Sequence, residues 1–158
     1  MSRPNGSRRM KTRCAVVRSV LLFAVMARTA SPQESENAIR AHIEGLRSDR
    51  GQVVCALFDA ANDFPKRINR AFARTAVHIA SGRATCEFPR VPAGVYAVSV
   101  FHDENLNGRL DTNWLGIPRE GVGASNNPKA RMGPPKFAPA EFQYSGASMN
   151  VEIIMRYL

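Results

Sequence analysis

Apolar and polar residues alternate along much of this chain with a period of two, as strands that bury one face require. In Ala38–Leu46 the apolar Ile39, Ala41 and Ile43 alternate with Arg40, His42 and Glu44. In Met149–Tyr157 the residues Val151, Ile153, Met155 and Tyr157 alternate with Asn150, Glu152 and Arg156. Gln52–Phe58 (QVVCALF) is almost continuously apolar and follows a turn at Arg47–Gly51 (RSDRG). Ala76–Ala80, Ala84–Phe88 and Val95–Phe101 are further predicted strands, punctuated by Ser81-Gly82 and Pro89–Gly94. A single short helix is predicted at Pro65–Ala73, where Pro65 suits a first turn and Phe64, Ile68 and Phe72 recur every four residues. Short strands joined by Gly/Pro-rich turns predict an all-β fold, an antiparallel β-sandwich of about seven strands.

The alternation stops at His102–Gly146, which holds five of the ten prolines and six of the eleven glycines. A connection this long in a small domain is either functional or lacks fixed structure. Trp114, Leu115, Ile117, Phe137 and Phe142 give it apolar anchors, so the expectation is a long ordered loop folded over one end or face of the sandwich.

The first thirty residues change the picture of charge. They carry seven Arg or Lys and no acid, so of the net +9 only 15 − 13 = +2 belongs to Ser31–Leu158. The remaining cations are scattered, which argues against a nucleic-acid surface, since phosphate binding needs them clustered. A basic stretch, the apolar run Val20–Ala27 and the small residues after it have the layout of a secretory signal. The run is shorter than the ~20 residues that cross a bilayer. The reading is therefore a signal peptide over residues 1–30, a linker over 31–37 and one sandwich domain over 38–158. The mature protein would be periplasmic or secreted and would not span the membrane.

Candidate chemistry concentrates in Asp103–Asp111 (DENLNGRLD). Asp103, Asn105 and Asn107 alternate, Gly108 permits a sharp turn and Asp111 closes the run, the order of the first nine positions of a helix–loop–helix calcium loop. The Arg109 carbonyl would supply a further oxygen. The twelfth position, where that loop has a bidentate glutamate, is Trp114, so the expected calcium site is weak unless Glu120 or a distant residue joins. The competing reading is a turn in which the Asn side chains bond their own backbone. Arg119, Glu120, Asn126 and Asn127 form a second candidate, a polar loop able to bind a small ligand or anion. Cys55 and Cys86 either form a disulfide, if they lie on adjacent strands at bonding distance, or remain two buried thiols. His42, His78 and His102 stand in no known catalytic motif.

Gly94–Asp111, Leu115–Gly123 (LGIPREGVG), Ser125–Asn127 (SNN) and Gly133–Phe137 (GPPKF), in that order, resemble the bacterial family called domain of unknown function 2141. The resemblance runs from about Ala38 to Leu158. It implies an exported protein with a transthyretin-like or immunoglobulin-like sandwich and implies no activity. The Asp103–Asp111 loop is also similar to calcium loops of sandwich modules in bacterial adhesins, through Asp103, Asn105, Asn107 and Asp111. These features favour a non-enzymatic exported sandwich that binds a ligand or protein partner. The alternative is a small periplasmic hydrolase using His102 and neighbouring acidic residues.

Overall fold

A computed structural model describes residues 37–129 and 133–158. They belong to one compact unit, Glu34–Leu158. The signal peptide and most of the linker read from the sequence lie outside the described residues. Among those residues no helix is long and apolar enough to cross a membrane.

The fold is an all-β sandwich. Its strands are β1 (Ala38–Glu44), β2 (Gln52–Phe58), β3 (Ala73–Val77), β4 (Ala84–Pro89), β5 (Gly94–Asp103), β6 (Val122–Ala124), β7 (Phe142–Tyr144) and β8 (Met149–Ile154), with one short helix, α1 (Phe137–Ala140). One sheet has the order β4-β1-β8 and the other β3-β2-β5-β6, with β7 also paired to β5. The ten-residue β5 is long enough to share one edge between β7, opposite Gly94–Tyr96, and β6, opposite Ser99–Phe101. Pairing is antiparallel except for β1 with β8, which run parallel in the register Ala41↔Val151. That departs from the all-antiparallel expectation. The two strands are not joined by a hairpin, so nothing in their connection forces opposite directions.

Ile39, Ala41 and Ile43 of β1, Phe88 of β4 and Ile153 of β8 pack against Val53 and Leu57 of β2 and Val98 and Val100 of β5. A smaller apolar cluster lies on the outer face of the five-stranded sheet, where Phe58, Ala56 and Ala97 meet Phe64, Ala124 and Ala140. The Phe64 ring stands edge-on to both Phe58 and Phe137, at 5.4 and 5.7 Å. Covered on both faces, β2 has no polar side to show, which is why it reads as one apolar run.

The predicted helix at Pro65–Ala73 does not form. A turn with a single 3-10 segment, Ile68–Arg70, takes its place, and Ala73 is already paired with Leu57 as the first residue of β3. Pairing with β2 holds this end of the segment extended, so Phe64 enters the outer cluster while Phe72 stays 45% exposed. For the same reason β3 sits three residues earlier than the predicted Ala76–Ala80, leaving His78 exposed beyond its end. β8 ends at Ile154, short of the predicted Tyr157. There the chain changes sheets: Met155 bonds Glu44 of β1, and Arg156 then exchanges both backbone hydrogen bonds with Val122 of β6.

Cys55 and Cys86 are bonded, with Cα atoms 6.4 Å apart. They lie on β2 and β4, so the bond crosses the core from one sheet to the other and does not join adjacent strands as the sequence reading supposed.

Candidate functional site

The β5 strand delivers His102 and Asp103 to one end of the sandwich, and both are fully buried. Burial at a strand end is costly for such groups unless each is bonded. Here every polar atom of the pair has a partner. His102 Nε2 lies 2.7 Å from the Arg50 carbonyl, and Nδ1 lies 2.8 Å from the Tyr157 hydroxyl. A carbonyl only accepts, so Nε2 carries the hydrogen and donates it. The Arg47 backbone N–H donates to the Tyr157 oxygen at 3.0 Å, and Glu104 Oε1 lies 3.6 Å from His102 Nδ1. The chain of hydrogen bonds runs from Arg47 through Tyr157 and His102 to Arg50, and both ring nitrogens are engaged.

Burial pushes the Tyr157 phenol up from its ordinary pKa, partly offset by the bond from the Arg47 backbone. The Arg47 guanidinium stacks on the Tyr157 ring, 4.5 Å from its centroid, and bonds Glu104 Oε1 at 2.7 Å through Nε. That bond to Glu104 raises the pKa of Arg47.

Asp103 opens the DENLNGRLD loop by accepting from the backbone. Its Oδ1 takes the Asn107 N–H at 3.0 Å, and its Oδ2 takes the Gly108 N–H at 2.9 Å and the Gln52 amide at 2.8 Å. Asn105 Oδ1 accepts from the Asn107 N–H and Asn107 Oδ1 from the Arg109 N–H, the Asx-turn geometry these residues favour. Those bonds fix the amide orientations, so both Nδ2 groups point at Asp111, 2.7 Å from Oδ2 and 3.1 Å from Oδ1. The structure thus gathers Asp103, Asn105, Asn107 and Asp111 into one cluster, with Arg109 joined through its N–H. Among the described residues no group of three or more His, Cys, Asp or Glu is arranged to hold a metal. An oxygen-liganded cation here would rely on the two amides, which would have to turn their oxygens toward Asp111 and release the bonds they now make.

The second candidate loop divides. Glu120 is 5% exposed and accepts the N–H groups of Glu104 and Asp111, both at 3.0 Å, clamping the two ends of the DENLNGRLD loop from beneath. Arg119 lies beside it with an exposed side chain. Asn126 and Asn127 serve elsewhere. Asn126 bonds the Glu141 carbonyl at 2.7 Å, and Asn127 pairs with β8 through the Glu152 carbonyl and the Ile154 N–H, completing the ladder like a piece of backbone. Arg47, Arg50, Glu104, Asn105, Asp111, Arg119 and Glu120 line a shallow recess of about 220 Å³, below the ~300 Å³ at which small-molecule sites begin.

Sequence reasoning did not single out Arg47, Gln52 or Tyr157 for this end. Tyr157 had a legible signal, its inward parity in the last apolar alternation, but parity does not reveal that the chain crosses to the other sheet before reaching it. Trp114, Leu115 and Ile117, expected as anchors, are 90%, 60% and 42% exposed. Phe137 and Phe142 do pack against buried apolar clusters.

The chain matches, over residues 41–152, the model of a family described as an uncharacterized protein conserved in bacteria, DUF2141. No curated protein and no solved structure matches it.

Proposed function

This chain belongs to the DUF2141 family, and from that premise we propose that it is an exported, non-catalytic binding module whose end loops are held in a fixed shape for recognition. The carrying observation is the hydrogen-bond chain through His102. A histidine that acts as a base or metal ligand needs a free nitrogen lone pair, and this one spends Nε2 on the Arg50 carbonyl and Nδ1 on the Tyr157 hydroxyl. Glu104, whose Oε1 lies 3.6 Å from His102 Nδ1, is bonded to Arg47, and Asp103 and Glu120 are likewise spent on backbone N–H groups of the loop. The buried polar groups at this end therefore stiffen the loop between them, which favours recognition over hydrolysis. Preorganised loops bind with less entropy lost.

Calcium is a weak auxiliary in this reading. Two carboxylates and two amides that must turn give an expected Kd of ~10⁻⁴–10⁻³ M. At ten times Kd, binding to the folded state adds ~1.4 kcal/mol, or a rise in Tm of roughly 5 °C for a domain of this size. The check is to melt wild type and Asp103→Ala in chelator and in calcium at ten times the fitted Kd. The wild type should respond and the variant should not. A wild-type Tm indifferent to calcium would remove the ion and leave a hydrogen-bonded turn.

Export rests on the leader of the sequence and is supported by the Cys55–Cys86 bond, since such bonds persist in oxidising compartments. N-terminal sequencing of the protein recovered from its host should find a chain that begins within residues 28–32. A mature chain that keeps Val20–Ala27 would overturn the assignment.

A further inference from the structure

The segment after the DENLNGRLD loop folds into a small hairpin with an apolar tip turned to solvent. Thr112 and Pro118 form a bridge at its base. The Asn113 N–H bonds the Ile117 carbonyl at 2.8 Å, and Asn113 Oδ1 accepts the N–H groups of Leu115 and Ile117 at 2.9 and 3.0 Å. One asparagine thus fixes the whole turn. Trp114 is 90% exposed, Leu115 60% and Ile117 42%, and a Cβ added at Gly116 would meet nothing within 4 Å. The tip stands clear of the sandwich in a shape its own backbone bonds impose.

A soluble domain does not hold a tryptophan and two aliphatic side chains out in water on a stiffened turn without exposing a contact site. What surrounds the tip indicates the partner. Arg50, Arg109 and Arg119 are exposed and have no side-chain partner among the described residues, and Arg50 and Arg119 line the recess at its base. The four carboxylates of the same end are already bonded, Asp103, Asp111 and Glu120 to loop groups and Glu104 to Arg47. This end therefore offers apolar groups at the hairpin tip and exposed, unpaired guanidinium groups on the loops beside its base. The tip's exposed apolar area is on the order of 400 Å², about half of what each side of a stable protein–protein interface buries. A lipid surface sets no such minimum: tryptophan favours the membrane–water interface, and arginine beside it meets lipid phosphates.

We propose that the Asn113–Ile117 hairpin inserts Trp114 and Leu115 into the interface of a bilayer carrying anionic phospholipid, with Arg50, Arg109 and Arg119 on the headgroups. This deepens the binding reading by naming the partner surface.

The chain has a single tryptophan, so its emission reports on the tip alone. Protein recovered from its host is titrated with vesicles of phosphatidylcholine, with and without phosphatidylglycerol, and with brominated acyl chains. Trp114 emission should shift to the blue and be quenched by the bromines on the anionic vesicles. Leu115→Asp, which keeps the reporter and changes an exposed residue, should weaken partitioning at least ~10-fold. Arg50→Ala and Arg119→Ala should each weaken it about fivefold. Emission unchanged by anionic vesicles would overturn the proposal. Equal partitioning onto neutral vesicles would overturn its anionic part. A blue shift that grows with protein concentration in the absence of lipid would replace the bilayer with a second copy of the chain. None of these outcomes touches the bonds that engage His102 and the loop acids, so the bilayer can fail as partner while the reading of a non-catalytic module with fixed end loops stands.

Discussion

Replacing Cys55 and Cys86 together by alanine is expected to destabilise the folded domain by ~3–4 kcal/mol and to lower its Tm by roughly 10–20 °C. The two cysteines are 31 residues apart in sequence, and in the reduced unfolded chain that loop is free to open. Closing it removes much of that freedom before folding begins, and by the chain-entropy account the gain grows with the logarithm of loop length. Position adds to the effect. Both side chains are fully buried in the core between the sheets, so the truncation also removes packed atoms from a close-packed interior. Alanine is the cleaner substitution, because serine would bury two hydroxyls without assured partners. Chemical denaturation of the double variant beside the oxidised wild type reads the difference. Equal midpoints would mean that the bond contributes nothing to stability.

A second large loss is expected from Gly51→Ala. Gly51 ends the β1–β2 turn with φ +79°, in the left-handed region. A Cβ there would fall on the Asp103 carbonyl oxygen and 2.7 Å from the Glu104 Cα. Both are backbone atoms, so no flexible side chain can yield. Relief requires moving the turn away from β5, which disturbs the bond from His102 to the neighbouring Arg50 carbonyl and the bond from Gln52 to Asp103. The expected cost is roughly 3–5 kcal/mol, the strain of the left-handed backbone plus that displacement. Gly116→Ala is the internal control. Its φ is +77° but its added Cβ meets nothing within 4 Å, so only the backbone strain of ~1–2 kcal/mol is expected. Urea unfolding of the two variants in parallel separates the terms, and equal losses would show that close approach at Gly51 contributes nothing.

The sequence made the sandwich legible wherever a strand buries one face. Ile39, Ala41 and Ile43 face the core and Arg40, His42 and Glu44 face outward, as the alternation of β1 requires. β2 was legible for the opposite reason, since a run without alternation must be covered on both sides. The segment at Pro65–Ala73 misled because Phe64, Ile68 and Phe72 have helical spacing, while the deciding interaction is the long-range pairing of Ala73 with Leu57. Local spacing carries no information about that pairing. β6 and β7, three residues each, are too short to show a period, and Pro- and Gly-rich surroundings hid them inside the predicted loop. At the candidate site the alternating Asp103, Asn105 and Asn107 fold into a turn bonded to its own backbone, the geometry that such residues favour. The clamp by Glu120 and the arrival of Tyr157 beside His102 depend on where distant segments meet, and no spacing rule encodes that. The apolar tip was misplaced for a related reason: hydrophobicity indicates that a residue benefits from contact, and Trp114 finds none within the described residues' core.

The parallel pairing of β1 with β8 bears on the order in which the domain can come together. β1 is the middle strand of its sheet, yet Ala41 meets Val151 across 151 − 41 = 110 residues. Until β8 arrives, β1 is satisfied on one edge only, and the wall of the core that Val151 and Ile153 complete stays open to water. Pairings that close so late in the sequence place a fold among the slow ones, because the entropy of the whole intervening loop is lost before the contact returns anything. A chain made from its N-terminus onward thus cannot close its three-stranded sheet over the core until β8 has been made.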